Sequence, residues 1–440
     1  MYRLTLIIVL LVAALGATGQ NNPARIDSVT WQHYIANDWD GVLSATRASL
    51  RDGIDFYYLR VRAGKATFEK KQYRLAVSHF AEAIRQNPND DFVNYWHYQS
   101  LLMDGRSDEA DAFFATLGRE ATQRLELDPR PAVSFVLAEA QYSASRDAAT
   151  LQEAPLSPSD YLAYRGVYRE QTYTGVGIDH RVNPTFHLFH GLSHLGIERT
   201  HLFQTTPDNQ YLYEGKVSQV QYFLQGRFQL RKGWGLQASA TLLGGYSDAA
   251  YYTETANGMA GILPDRYVIG DRQVSAAISR SGTWLEPALG FTLGSVGGFT
   301  QTQATSRLSV YPLRNANLVL TTQFDMHHDG GDDRWKPILQ QHLTLKTGPV
   351  WWIAEAASGD IRNFTTLGGY VVYNQPETIK QIKGLSLYVP LFRYKLDLTL
   401  RYRLLDKEGT DFEYSDQNTF NTVPYNYNDD SFLISVRWHF

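Results

Sequence analysis

Residues 432–440 read FLISVRWHF, and Phe432, Ile434, Val436, Trp438 and Phe440 put a large apolar group at every second position. Leu433 excepted, the residues between them, Ser435, Arg437 and His439, are polar. Side chains of a strand alternate between its two faces, so the run predicts a strand with one greasy and one wet face. The same period continues upstream. In Phe392 to Leu404, Phe392, Tyr394, Leu396, Leu398, Leu400, Tyr402 and Leu404 share one face, and Arg393, Lys395, Asp397, Thr399, Arg401 and Arg403 share the other. In Gln219 to Arg231, Val220, Tyr222, Leu224, Phe228 and Leu230 oppose Gln219, Gln221, Gln225, Arg227, Gln229 and Arg231. After Lys232 and Gly233 a second strand sets Trp234, Leu236, Ala238, Ala240 and Leu242 against Gln237, Ser239 and Thr241, which predicts a hairpin.

Strands of this kind are predicted near 173–182, 185–201, 212–231, 234–247, 267–281, 284–295, 299–311, 315–327, 338–346, 349–358, 364–374, 379–389, 392–404 and 430–440. That is about fourteen, an even count suited to a closed membrane barrel. Tight turns are expected at Lys232, at Leu313 to Asn315 and at Thr347 to Gly348, and longer polar loops at Ser247 to Arg266, His328 to Lys336 and Asp406 to Asp429. Short and long connections fail to alternate between residues 347 and 392, so 12 or 16 strands remain open.

No later stretch approaches the roughly 18 consecutive apolar residues of a membrane helix, so a membrane span must be built from strands. Half of each barrel strand faces a polar lumen, which reconciles spanning with a mean hydropathy of −0.33. The 28 tyrosines, 21 phenylalanines and nine tryptophans suit aromatic girdles at two membrane interfaces. A secreted sandwich or propeller is the bland alternative. A formal charge of −4 makes no electrostatic case for a nucleic-acid partner.

Met1 to Gln20 has Arg3, an apolar run from Leu4 to Leu15 and then Gly16, Ala17, Thr18 and Gly19, the pattern of a cleavable secretory signal. The absence of cysteine excludes a lipidated cysteine, disulfides and thiolate metal sites. From Asp27 to about Glu153 the period is helical. Ala76, Phe80 and Ala83 recur 34 residues later as Ala110, Phe114 and Leu117, and 34 is the tetratricopeptide period. Gly64 and Pro88 fall where that repeat wants a small residue in its first helix and a stop after its second. Two to three repeats are expected, with Glu120 to Ala144 as a helical cap and a concave face free for a partner. A plain helical spacer is the alternative. LQEAPLSPSD, Leu151 to Asp160, reads as a linker. The predicted domains are thus a signal at 1–20, a helical domain at 27–150, a linker at 151–160 and a barrel at 161–440: an α-solenoid followed by an antiparallel transmembrane β-barrel.

Catalytic motifs are sparse. There is no GxSxG elbow and no HExxH. In HGLSH, Ser193 adjoins His190 and His194, but on a strand Ser193 and His194 face opposite ways. His187, His190, His194 and His201 crowd one region, yet His190 and His194 would lie ~13 Å apart along a strand, too far for one ion. Asp329, Asp332 and Asp333 lack EF-hand spacing and read as a solvated loop. No catalytic residue, metal or cofactor is expected. By the face argument Arg227, Arg231, Lys346, Glu355, Lys395, Asp397, Arg401 and Arg403 are the lumen-lining candidates, either for hydrated polar cargo or as a salt-bridged plug.

The strand ending in Phe440 resembles the assembly signal of bacterial outer-membrane β-barrels, which implies outer-membrane lipids and the barrel assembly machinery as partners. With the repeat around Gly64 to Pro88, the chain resembles outer-membrane proteins that join a periplasmic tetratricopeptide domain to a barrel. These are the exopolysaccharide exporters of the poly-N-acetylglucosamine and cellulose systems, the YaiO-type proteins and the surface lipoprotein assembly modulators. The resemblance implies transport or secretion of polar cargo, polysaccharide or protein, with a periplasmic protein or polymer in the solenoid groove. The alternative it implies is a non-conducting scaffold whose helical domain docks a periplasmic complex.

Overall fold

The computed structural model describes residues 22–127, 130–156, 161–206, 209–254, 260–331, 334–416 and 418–440. The predicted secretory signal, residues 157–160 of the predicted linker, Asp332 and Asp333 lie outside the described residues. The chain divides into two compact units, one built on the N-terminal helices together with Gly282–Trp284 and Tyr311–Ala316, the other on the sheet.

The helical unit runs α1 (Pro23–Ile35), α2 (Trp39–Arg51), α3 (Tyr57–Glu69), α4 (Tyr73–Gln86), α5 (Asp91–Met103), α6 (Ser107–Phe114) and α7 (Arg119–Arg124). Helices α2, α4 and α6 begin 34 residues apart, as do α3 and α5. Asp38 and Asp90 cap α2 and α5, accepting from Gly41 N at 2.9 Å and Val93 N at 3.2 Å. Helices α3 and α4 pack closely because Gly64 has no side chain, and a Cβ there would stand 2.6 Å from the Phe80 ring. Ala76, Phe80 and Ala83 share a core with Val93, while Ala110 joins Val77, Tyr98 and Leu101, with Phe114 at its edge. Pro88 follows α4, and its carbonyl accepts from Asn94 Nδ2 at 3.0 Å. Arg74 pairs with Asp104 at 3.4 Å here, with both side chains buried.

Two histidines of this core carry a pH dependence. Burial is the main cause that pushes His79 down to about 4 and His97 down to about 3, from an ordinary 6.5. Both rings are neutral when folded, so as pH falls below 6.5 the unfolded chain takes up protons first. Stability is therefore whole above pH 6.5 and falls progressively toward pH 4. Amide exchange of α4 and α5 in the intact protein, corrected for intrinsic rates, should show less protection at pH 5 than at pH 7. His79→Gln with His97→Gln should flatten the difference, and equal protection at the two pH values in the native chain would contradict the burial argument.

The second unit is a closed antiparallel barrel, with fourteen wall strands among the described residues. Its strands are β1 (Val133–Ser145), β2 (Leu162–Asn183), β3 (Phe186–Thr206), β4 (Asn209–Gln229), β5 (Trp234–Glu254), β6 (Ala260–Arg280), β7 (Leu285–Val296) and β8 (Phe299–Val310). They continue as β9 (Leu318–Asp329), β10 (Lys336–Thr347), β11 (Val350–Ile361), the short β12 (Phe364–Thr366) and β13 (Val371–Tyr373), then β14 (Thr378–Leu391), β15 (Leu396–Tyr414) and β16 (Phe420–His439). Neighbours in sequence pair around the wall, and β1 closes it by bonding β16 from Phe135↔His439 to Ser145↔Asp429 and β2 on its other edge.

The predicted count of about fourteen conceals two misplacements. Val133–Ser145, expected to be helix within 27–150, is the closing strand, so the barrel begins before residue 161. Its Leu-Ala-Glu-Ala core favours helix, but pairing on both edges overrides so weak a preference. Conversely, 364–374 is no wall strand: β12 and β13 pair only with each other. Helix α8 (Ala148–Glu153) occupies the start of the predicted linker.

The outward faces predicted for 219–242 and 432–440 are largely exposed, and the same apolar band runs on through strands whose faces were not predicted. Val176, Leu192, Leu242, Leu289, Leu343 and Ile434 are exposed on the outside, as are Phe432, Trp438 and Phe440, while Val436 is half-buried between them. Such a band needs an apolar solvent, and a closed barrel is the strand architecture that satisfies every backbone group in one. Two of the three expected long loops, however, are largely paired strand among the described residues, while the connection from β9 to β10 is a turn between Asp329 and Lys336. Strands β5 and β6 stay paired to Glu254↔Ala260, and β15 and β16 to Tyr414↔Phe420. Strands β2 to β6 have 21 or 22 residues against 12 in β7 to β11, so one side of the wall rises far beyond the ~9–11 residues that cross a membrane. At that far end β15 also pairs with β2, from Asp411↔Arg165 to Tyr414↔Leu162, with the Arg165–Asp411 ion pair buried in the joint.

Candidate functional site

The chain between β11 and β14 turns into the lumen. Its β12–β13 hairpin is closed by Leu367, Gly368 and Gly369, all at positive φ (53°, 67° and 93°), where the two glycines adopt freely what strains Leu367. The hairpin root is apolar: Phe364 and Tyr373 pack against Ile338, Ile361, Ile379 and Ile382. The tip is held by wall side chains donating to its carbonyls. Ser239 Oγ donates to Gly368 O at 2.6 Å, Thr241 Oγ1 to Gly369 O at 2.9 Å, Gln221 Nε2 to Tyr370 O at 2.9 Å and Gln303 Nε2 to Thr365 O at 3.1 Å. These donors are the polar half of the alternation in β4, β5 and β8, so the wet face predicted for the lumen serves here as a socket for backbone.

Below the joint the return leg is anchored by charge. Asn374 Nδ2 donates to Gln219 Oε1 at 3.1 Å, Lys407 Nζ to Gln375 Oε1 at 3.0 Å, and Arg199 pairs with Glu377. Lys407 also pairs with Asp429 at 2.5 Å, with both groups buried.

Beside the hairpin tip lies a cavity of about 560 Å³. Phe135, Leu137, Phe189, Phe223 and Tyr370 form an apolar side, with the Tyr370 ring centroid 5.2 Å from Phe223 and 5.9 Å from Phe189. Arg227, Arg307 and Arg437 bring positive charge to it, and Glu139 brings the carboxylate. Tyr370 OH donates to Glu139 Oε2 at 2.8 Å. The space exists because the facing wall on β6 and β7 is lined by small groups, Ser275, Ala277, Ala288 and Gly290.

No protein-family profile matches this chain, and no curated protein matches it significantly. Solved structures do. It is similar to a FadL homologue of Pseudomonas aeruginosa (8% identity, TM-score 0.47, covering 70% of this chain and 90% of that one). It is similar to the Ralstonia pickettii toluene transporter TbuX (6% identity, TM-score 0.45, 73% and 93%) and to a bacterial polysaccharide outer membrane secretin (8%, 0.32, 69% and 98%). Likeness at this level says nothing of cargo.

The structure divides the predicted lumen residues. Arg403 makes a two-pronged pair with Glu355 at 2.5 and 2.7 Å, and Arg401 reaches Gln141 at 3.4 Å. Arg227 pairs with Asp179 at 2.8 Å, Asp397 accepts from His439 Nε2 at 2.6 Å, and Lys346 sits 4.0 Å over the Trp351 ring. Two candidates are misplaced. Arg231 lies in the β4–β5 turn (Arg231–Gly233), and Lys395 is exposed in the β14–β15 turn. There Phe392, Arg393 and Tyr394 all have positive φ, so the alternation through Phe392 is that of a turn, and β15 starts only at Leu396. Of the eight candidates only Arg227 lines the cavity. Arg307, Arg437, Glu139 and the hairpin were missed, although Arg437 stands on the polar face of the FLISVRWHF run. Of the histidines, His187 is buried inside the barrel near Asp179, His190 lies 3.0 Å from His180 across the β2–β3 pair, and His194 bonds Ser218 at 3.0 Å on the outer face.

Proposed function

We propose that this chain is a non-enzymatic outer-membrane transport barrel whose lumen is gated by the β12–β13 hairpin. The observation that carries the reading is the manner of attachment. The tip is held by separate hydroxyl and amide hydrogen bonds, each worth ~1 kcal/mol net and each replaceable by water, so it can leave its socket without unfolding the wall. The 34-residue spacing of helix starts supports reading the helical unit as tetratricopeptide-type, docking a periplasmic protein or polymer. The aromatic strand end at Phe440 supports recognition by the barrel assembly machinery.

A cysteine-free chain allows a direct test. A Cβ at Gly368 would stand 3.9 Å from Ser239 Cβ, within the ~3.5–4.5 Å of disulfides, at a cost of ~1 kcal/mol for the left-handed φ of 67°. Gly368→Cys with Ser239→Cys should give a barrel that is closed when oxidised and conducts in a planar bilayer when reduced, while the native chain ignores the reductant. Identical conductance in both redox states would defeat gating by this hairpin. The scaffold reading is favoured by the paired lumen charges Arg403–Glu355 and Arg227–Asp179; it expects no conductance in either state and stable co-purification of a periplasmic protein.

A further inference from the structure

We infer that the cavity beside the hairpin tip is a binding site for a small organic anion with an apolar body. This deepens the lumen reading by naming a ligand class, and it holds at equilibrium whether or not the barrel conducts.

The two halves of such a ligand are matched by two halves of the cavity. Phe189 and Phe223, nearly buried against the wall, and the Tyr370 ring make a rigid apolar surface. Leu367, at the hairpin tip in the same cavity, is 63% exposed, a large apolar side chain left uncovered inside a polar lumen and strained in its backbone as well. An apolar body against the half-buried Tyr370 ring and Leu367, backed by the buried Phe223, removes that surface from water. A purely hydrated sugar gains nothing there.

The charge selects an anion. Of the three arginines, Arg227 is neutralised by Asp179. Arg307 and Arg437 have no carboxylate partner among the described residues. Asp397, opposite Arg437 across the β15–β16 pair, is already engaged by His439, and Arg437 instead lies 4.6 Å over the Phe135 ring. Glu139, the carboxylate of the cavity, accepts from Tyr370 OH and from Tyr173 OH, at 3.4 Å for the latter. The cavity thus holds more guanidinium than carboxylate, with donors that are planar and suited to two-pronged bonds with a carboxylate or sulfonate. Its volume is that of a pocket for a drug-sized molecule.

The test uses the full chain in lipid nanodiscs, with empty discs as the blank, and three probes measured by calorimetry: phenylbutyrate, its uncharged counterpart phenylbutanol, and glucuronate. Saturable binding of phenylbutyrate is expected, about tenfold or more tighter than either of the others, since each lacks one half of the match. Arg307→Gln should weaken phenylbutyrate by about tenfold and leave phenylbutanol unchanged. Leu367→Ser, at an exposed tip where folding is not at stake, should weaken phenylbutyrate without altering its salt dependence. Equal binding of phenylbutanol, equal or tighter binding of glucuronate, or no saturable binding of phenylbutyrate by heat-modifiable, folded protein would each overturn the inference. A barrel that binds phenylbutyrate as expected but never conducts would sink the transport reading alone.

Discussion

Excising residues 366–371 should convert a closed or flickering barrel into a steadily open one. Thr365 and Val372 are directly opposed in the hairpin, so an Asn-Gly turn can join them and keep the apolar root of Phe364 and Tyr373 in place. What is lost is the tip that reaches the β4–β5 wall, with its bonds to Gln221, Ser239 and Thr241. Geometry makes the effect large. Fourteen strands spaced ~4.8 Å apart and tilted ~40° give a wall radius of about 14 Å, and inward side chains of ~5 Å leave a bore of ~9 Å radius. A two-stranded hairpin with its side chains is about as wide as that bore, so one hairpin can fill it and its tip decides whether it does. Single-channel recording of the excised protein should show stable openings of several times the native conductance, with heat-modifiable migration unchanged. Openings no larger than native would show that the constriction lies elsewhere, with the buried Arg199–Glu377 and Lys407–Asp429 pairs at the far end as the next candidates.

A protein beginning at residue 161 should not form a barrel, whereas one beginning at residue 130 should. The shorter protein lacks β1, which gives both its edges to the wall, one to β16 and one to β2. Without it those neighbours face hydrocarbon with rows of unpaired backbone groups, each costing several kcal/mol there. The contact of β15 with β2 cannot substitute, since it spans only Asp411 to Tyr414 at the far end. Heat-modifiable migration after refolding into lipid is the measurement. A folded barrel from 161–440 would mean that the wall closes without β1.

Much of the barrel was legible because its physics is local. A strand between lipid and water must alternate, and the alternation at Gln219 to Leu242 and at Leu396 to Leu404 appears in the structure as exposed Leu242 and Leu400 outside and buried Gln221 and Thr241 inside. The alternation could not separate a wall strand from a turn that happens to alternate, as at Phe392 to Tyr394. Nor could it detect β1, where local helix preference and strand pattern coexist, or say that a polar run such as Asp406 to Asp429 is paired strand, because pairing depends on the partner's edge.

The site was less legible for a related reason. Arg401 and Arg403 were assigned to the inside by alternation, but whether an inward arginine is free or neutralised depends on residues far away in sequence, as with Arg403 and Glu355. The sequence of this protein by itself determined most of its faces: which side chains lie on the outside of the wall and which on the inside. Only the tertiary structure decided closure through β1, the folding of residues 362–377 into the lumen and the partnering of its arginines. Periodicity is written by the solvent on each side of a single segment, whereas closure, occlusion and ion pairing are set by the energies of contacts between segments.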